Sequence, residues 1–227
     1  MGSGLPIILG IFFVFAVLGF AAYRRRQAYN AWREFALSND LSFGASNWFG
    51  GFTLNGEFQG ESIRVRTVTR GGRKNRKTYT VYSVSLPSSV PMGLVMYDES
   101  LFSKLGKFFG GQDIQVGRPQ LDDAFIIKGN DPGRIRNFLD NDMVAAALLN
   151  LYAVESDLHL DVGTLTIEHR GYANSVHELQ SHLEPLVDTA YALQDAGSGR
   201  TTAEDPARSE EEDAGEPADV EEPVAQW

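Results

Sequence analysis

The chain has 227 residues, with 30 acidic and 20 basic side chains for a net charge of −10, and it contains no cysteine. Disulfides and thiolate metal sites are therefore excluded, in keeping with a reducing compartment. The charge is uneven: residues 197–227 hold ten Asp or Glu against two Arg, so the acidity belongs to the C-terminal end and the rest is close to neutral.

Leu5 to Tyr23 reads LPIILGIFFVFAVLGFAAY, with no charged side chain, and Arg24, Arg25 and Arg26 follow at once. Nineteen residues of helix span about 28 Å, close to the hydrocarbon thickness of a bilayer. A transmembrane helix is the expectation. Pro6 falls in the first turn, where its missing N–H costs little. Gly10 and Gly19 are too far apart for a small-xxx-small dimerisation face. Three rival readings fit less well. A cleaved signal peptide wants a basic start, which Met1 to Pro6 lacks. Myristoylation at Gly2 wants Ser or Thr where Pro6 stands. A buried helix of a soluble protein rarely runs this long without a polar face. Tyr23 and Arg24 to Arg26 are the expected membrane-edge anchors. The positive-inside rule puts the N-terminus outside and the rest in the cytoplasm, at the cell membrane as a single-pass protein.

Arg24 to Leu37 continues as helix, with Ala28, Ala31, Trp32, Phe35 and Ala36 on one face, closed by Asn39-Asp40. Trp32 and Phe35 are expected to dock on the following domain; insertion of Trp32 among lipid headgroups is the alternative. Leu41 to Leu86 reads as antiparallel strand, with turn signals at Gly50-Gly51 and Asn55-Gly56. Thr78 to Leu86 is the clearest strand of the chain. Before it, Arg70-Gly-Gly-Arg-Lys-Asn-Arg-Lys77 forms a basic hairpin tip. Arg70, Arg73, Lys74, Arg76 and Lys77, backed by Arg64 and Arg66, are the candidate contacts for anionic lipid or a partner. A merely solvated loop is the plain alternative. Nucleic acid is disfavoured, because the loop has no interleaved aromatics and no nucleic-acid motif accompanies it.

Leu94 to Tyr97 reads as a strand, and Ser100 to Phe109 as a short helix with an apolar side. Asp113 to Gly117 and Leu121 to Gly129 follow, the latter ending as strand. Asp131-Pro132 opens a helix whose stripe of Ile135, Phe138, Leu139, Met143, Ala146 and Leu149 is expected to be buried. Leu158 to Asp161 and Thr164 to Glu168 form a hairpin around Val162-Gly163. Ser175 to Glu178 fits a capping box, opening a helix in which Pro185 is expected to cause a kink.

The expected organisation is a short segment at 1–4, a transmembrane helix at 5–23, a juxtamembrane helix at 24–40, a soluble domain at 41–195 and a disordered acidic tail at 196–227. The fold class is α+β: a mostly antiparallel sheet with packed helices. Trp32, Phe35-Ala36, Leu41-Ser42-Phe43, Gly56, Gly60, Asp113-Ile114, Gly117, Asp123, Phe125, Gly129 and Asp131 resemble an uncharacterised prokaryotic family. Its members are single-pass membrane-anchored proteins with a cytoplasmic domain of unknown function. The resemblance implies a fold and a topology, and no activity.

No phosphate loop, metalloprotease motif or nucleophile elbow occurs. His177 and His182 are five apart, on different faces of a helix. His159 and His169 lie on the two arms of one expected hairpin, where they could face each other. Asp122 and Asp123 are read as pointing to opposite sides of a strand. No catalytic residue, cofactor or metal is assigned. The expected function is a membrane-tethered binding or scaffold module with a protein partner besides the bilayer. The alternatives are lipid sensing by the hairpin at 70–77, or an enzyme with a polar pocket gathering His159, His169 or Asp123. The acidic tail could bait a basic partner or fold back on the basic loop. Trp227 at its end is a single residue, not a motif.

Overall fold

The computed structural model describes residues 5–46, 51–72, 75–91, 93–98, 113–161 and 163–198. Helix α1 (Leu5–Ser38) is followed by a meander of β1 (Ser42–Ala45), β2 (Phe52–Phe58), β3 (Glu61–Arg70) and β4 (Lys77–Ser85). Then come β5 (Val95–Tyr97), α2 (Pro119–Ala124), β6 (Ile126–Lys128), α3 (Pro132–Leu139) and α4 (Asp142–Val154). The hairpin β7 (His159–Asp161) and β8 (Thr164–Arg170) leads into α5 (Val176–Ser198). The strands make one sheet in the order β1-β2-β3-β4-β8-β7-β5-β6, and every pair is antiparallel. The α+β class is as expected.

The sheet is two-sided by its alternation. In β3, Glu61, Ile63 and Val65 are buried while Ser62, Arg64 and Arg66 are exposed. The buried side carries α1 and α5, and the core gathers Trp32, Phe35, Phe52, Tyr82, Leu179, Leu183 and Leu186 there. A two-residue loop of Gln59 and Gly60, both at positive φ (52° and 82°), joins β2 to β3. That is the geometry of a tight hairpin whose twist matches its strands. Asn55 and Gly56, read from the sequence as a turn, lie instead inside β2, opposite Arg64 and Ile63. Gly56 is there because Leu41 crosses it: an added Cβ would meet Leu41 Cδ2 at 2.8 Å.

Trp32 and Phe35 dock on the domain as anticipated. The indole N–H of Trp32 donates to the Ala173 carbonyl at 3.0 Å, and the ring lies 5.5 Å from that of Phe52. Phe35 packs at 5.6 Å on Phe58. Moving toward its N-terminus, α1 thus passes from Phe58 to Phe52, so the helix runs parallel to β2 and leaves the domain at the Phe52 end.

Other expectations shift in detail. The single helix read from Pro132 onward is two helices. Asp131 caps the first, accepting from Arg134 N–H at 3.0 Å; Asn141 caps the second, accepting from Met143 N–H at 2.9 Å. An Asn at a position where its side chain can take a free N–H starts a new helix rather than continuing the old one. Asp122 and Asp123 are not on a strand but on α2, where the Asp122 carboxylate accepts from Val116 and Gly117 N–H at 2.9 and 3.0 Å. The capping box at α5 forms with a variation: Ser175 Oγ accepts from Glu178 N–H, while the Glu178 carboxylate reaches the N–H of Asn174. Helix α5 runs unbroken through Pro185 to Ser198, so residues 196–198, placed in the tail by the sequence reading, are helical.

The helix expected at Ser100 to Phe109, the loop residues Arg73 and Lys74, and the acidic stretch from 199 onward lie outside the described residues. Among the described residues no helix is long and apolar enough to cross a membrane. The side chains of residues 5–8 and of Ile11, which the sequence reading counts toward the span, are outside that description. In the same part of α1, Leu9, Phe12, Phe13, Phe15, Leu18 and Phe20 are exposed by 60–74%.

Candidate binding site on the open sheet face

The face of the sheet turned away from α1 and α5 forms a concavity of about 980 Å³. Four neighbouring strands floor it, and β7 makes its far wall. Period-two alternation decides which side chains reach it. From β3 come Ser62, Arg64, Arg66 and Arg70; from β4, Val81, Ser83 and Ser85; from β8, Thr164, Thr166 and Glu168. His159 and Asp161 complete it from β7.

The two sides differ in chemistry. On the β3 side, Arg64 Nε donates to Asn55 Oδ1 at 3.0 Å, which fixes the guanidinium across the β2–β3 pair. Arg66 is exposed and makes no hydrogen bond or ion pair among the described residues. Arg70 is already engaged. It grips Glu168 with both terminal nitrogens, Nη2 to Oε1 at 2.6 Å, and stacks over the Tyr79 ring at 5.6 Å. The hydrogen bond to Glu168 raises the Arg70 pKa further above its ordinary value. The Glu168 side chain is only 5% exposed, so this fork spares the sheet an unpaired buried carboxylate.

On the β7 side, two buried polar atoms have no partner: His159 Nδ1 and Asp161 Oδ1. Burial pushes the His159 pKa below its usual value, although nearby Glu168 acts the other way. Such a ring favours the neutral form, with one nitrogen able to accept and the other to donate. Buried polar groups nearly always find partners, so a pair of orphans in one concavity marks a place where a polar group from outside can bind.

The seven basic candidates from the sequence are therefore divided. Arg64, Arg66 and Arg70 share the concavity, and Arg70 serves Glu168. Arg76 and Lys77 are exposed at the hairpin between β3 and β4. Of the four residues expected from the sequence at a membrane edge, Tyr23, Arg24 and Arg26 are exposed, whereas Arg25 places its guanidinium 5.4 Å from the Phe52 ring centre. His159 and His169 do not face each other. His159 pairs in register with Thr166, and His169 with Thr80, so the odd offset along β8 puts the two rings on opposite faces. Asp123 stands on α2 and contributes nothing to the concavity, so the pocket proposed for an enzyme gathers His159 alone. Asp161 and Glu168 were missed by sequence reasoning. Only strand register brings them to the arginines, and register is not written in local spacing. No family model matches this chain, and no curated protein matches it either.

Proposed function

We propose that this protein is a membrane-tethered binding module, non-enzymatic, in which Leu5 to Tyr23 is the anchor and the open sheet face binds an anionic group on a partner protein. Exposed large apolar side chains surround this part of α1, as a lipid-facing helix requires, and Arg24 to Arg26 favour a cytoplasmic domain. One observation carries the binding reading: Arg64 and Arg66 face the unpartnered His159 Nδ1 and Asp161 Oδ1 across one concavity. A guanidinium is suited to bidentate recognition of carboxylate or phosphate, and the orphaned atoms would fix the orientation of neighbouring amides. The test is crosslinking and affinity capture of the full chain from native membranes, beside an Arg64→Glu/Arg66→Glu variant. A constant partner lost with the variant is expected. Equal capture by both would overturn the reading.

A second reading, contact of the hairpin at 70–77 with anionic lipid, is favoured by one tertiary relationship. Arg25 lies against Phe52, and Phe52 N–H donates to Thr67 Oγ1 at 2.8 Å. Continuing from Thr67, β3 gains about 10 Å before the hairpin tip, in the direction in which α1 leaves the domain. The basic tip thus belongs to the end of the sheet from which α1 departs, which the anchor reading turns toward the bilayer. Because the chain lacks cysteine, a single Asn75→Cys label can be read in nanodiscs. A salt-sensitive change of environment in anionic but not neutral lipid is expected, and is lost when Arg73, Lys74, Arg76 and Lys77 are neutralised. An identical signal in both lipids would dismiss it.

A further inference from the structure

Behind the sheet, on the side opposite the concavity, three elements bring titratable groups to one point. Glu155 caps the C-terminus of α4, His169 projects from β8, and His182 comes from α5. His182 Nδ1 is hydrogen-bonded to Glu155 Oε1. The rings of His169 and His182 lie 4.6 Å apart at 37°. One donor atom from each of the three residues lies within 4.8 Å of the other two.

The neighbourhood does not close this set by itself. Tyr82 is fully buried, its ring lies 5.1 Å from that of His182, and its hydroxyl has no hydrogen-bond partner. An apolar core would exclude the cluster, and a purely structural ion pair would need only two of its members. Instead two imidazoles converge on one carboxylate, and the tyrosine packed on one of them has an unsatisfied hydroxyl. The side chains of His182 and Glu155 keep 14% and 10% exposure, so the pair is not sealed from solvent.

We propose that Glu155, His169 and His182 form a binding site for a divalent first-row cation such as Zn²⁺, with the buried Tyr82 ring packed against His182. Two neutral imidazoles and a carboxylate are a donor set suited to Zn²⁺, and three protein ligands leave a fourth position for water. Ligand atoms around a tetrahedral zinc stand about 3.4 Å apart, so the present triangle needs shifts on the order of 1 Å to close. The His182–Glu155 hydrogen bond then gives way to two metal bonds. Since the three ligands come from α4, β8 and α5, an ion here pins both helices to the sheet. The site is independent of the anchor and of the concave face, so neither of those readings depends on it.

The test uses the untagged full chain in detergent, freed of metal and titrated with Zn²⁺, then with Co²⁺ as a visible probe of coordination. Binding of one ion per chain, a tetrahedral Co²⁺ spectrum and a rise in the melting temperature are expected. His169→Gln and Glu155→Gln should each weaken binding at least about tenfold, whereas His177→Gln, an exposed residue of the same helix as His182, should leave it unchanged. Circular dichroism of each variant separates lost ligation from lost folding. If a variant unfolds, the wild-type stoichiometry and Co²⁺ spectrum decide. No stoichiometric binding by the wild type, or binding indifferent to both substitutions, would overturn the proposal and leave the cluster as a hydrogen-bonded tie between α4 and α5.

Discussion

Trp32 and Ala173 are 141 positions apart, yet the indole N–H of the first meets the carbonyl of the second at 3.0 Å inside the core. This bond joins the first helix to the turn that follows the last strand. The domain and its α1 stem are therefore one folding unit from about Ala28 onward, where burial begins.

Trp32→Phe should keep most of the packing and lose the bond, leaving the Ala173 carbonyl buried without its donor. A loss of about 1–3 kcal/mol is expected, and Trp32→Ala should cost about 3–5 kcal/mol. Chemical denaturation of the full chain in detergent, followed by near-ultraviolet circular dichroism, measures both.

Truncation should show a sharp boundary in the same stem. A chain beginning at Arg25 keeps Ala28, Trp32 and Phe35 and should fold without detergent. A chain beginning at Arg33 lacks the indole and should not give a cooperative melt. Size-exclusion chromatography and a thermal scan distinguish the two. An Arg25 start that aggregates would show that the apolar half of α1 is part of the domain rather than its anchor.

The Gln59-Gly60 hairpin is tied down from α5. Tyr191 Oη donates to the Gln59 carbonyl, and a Cβ on Gly60 would meet the Tyr191 hydroxyl oxygen at 2.9 Å. Gly60→Ala also places a side chain at a φ of 82°, so a cost of about 1–2 kcal/mol is expected. Tyr191→Phe removes the clash along with the bond. The double variant should therefore lose less stability than the two single losses added together, a coupling that a double-mutant cycle by denaturation resolves.

His159 makes stability depend on pH. Its folded pKa lies below the unfolded value of 6.5, chiefly because the ring is buried. The unfolded chain thus binds the proton more readily than the folded one. The contribution is complete above the unfolded pKa and is lost as pH falls from there toward the folded pKa. His159→Gln should flatten this part of the profile between about pH 6.5 and the acid limb. Melting temperatures of both proteins across that range check it; parallel curves would mean that the ring is freely solvated.

Arg70→Ala should destabilise the sheet by more than a surface substitution, because Glu168, 5% exposed, is left without its partner. Arg70 itself is 46% exposed, so water recovers part of the loss, and roughly 1–2 kcal/mol is expected. Arg70→Ala/Glu168→Gln should recover some of it. The same denaturation series decides.

Local patterns announced the features that depend on neighbours in sequence. The β3–β4 hairpin, the Asp131 cap and the Ser175 cap follow from alternation and from short polar side chains before apolar runs, and each is where the pattern puts it. The apolar run at Leu5 to Tyr23 and the arginines after it need no tertiary context to suggest an anchor. What only the fold decided is how distant residues meet. Strand register put His159 and His169 on opposite faces and carried Asp161 and Glu168 to the arginines of β3. Helix packing brought Glu155, His169 and His182 together from three separate elements. A sequence records periodicity within an element, because backbone geometry fixes it. It does not record which elements become neighbours, because that depends on burying the whole apolar surface at once.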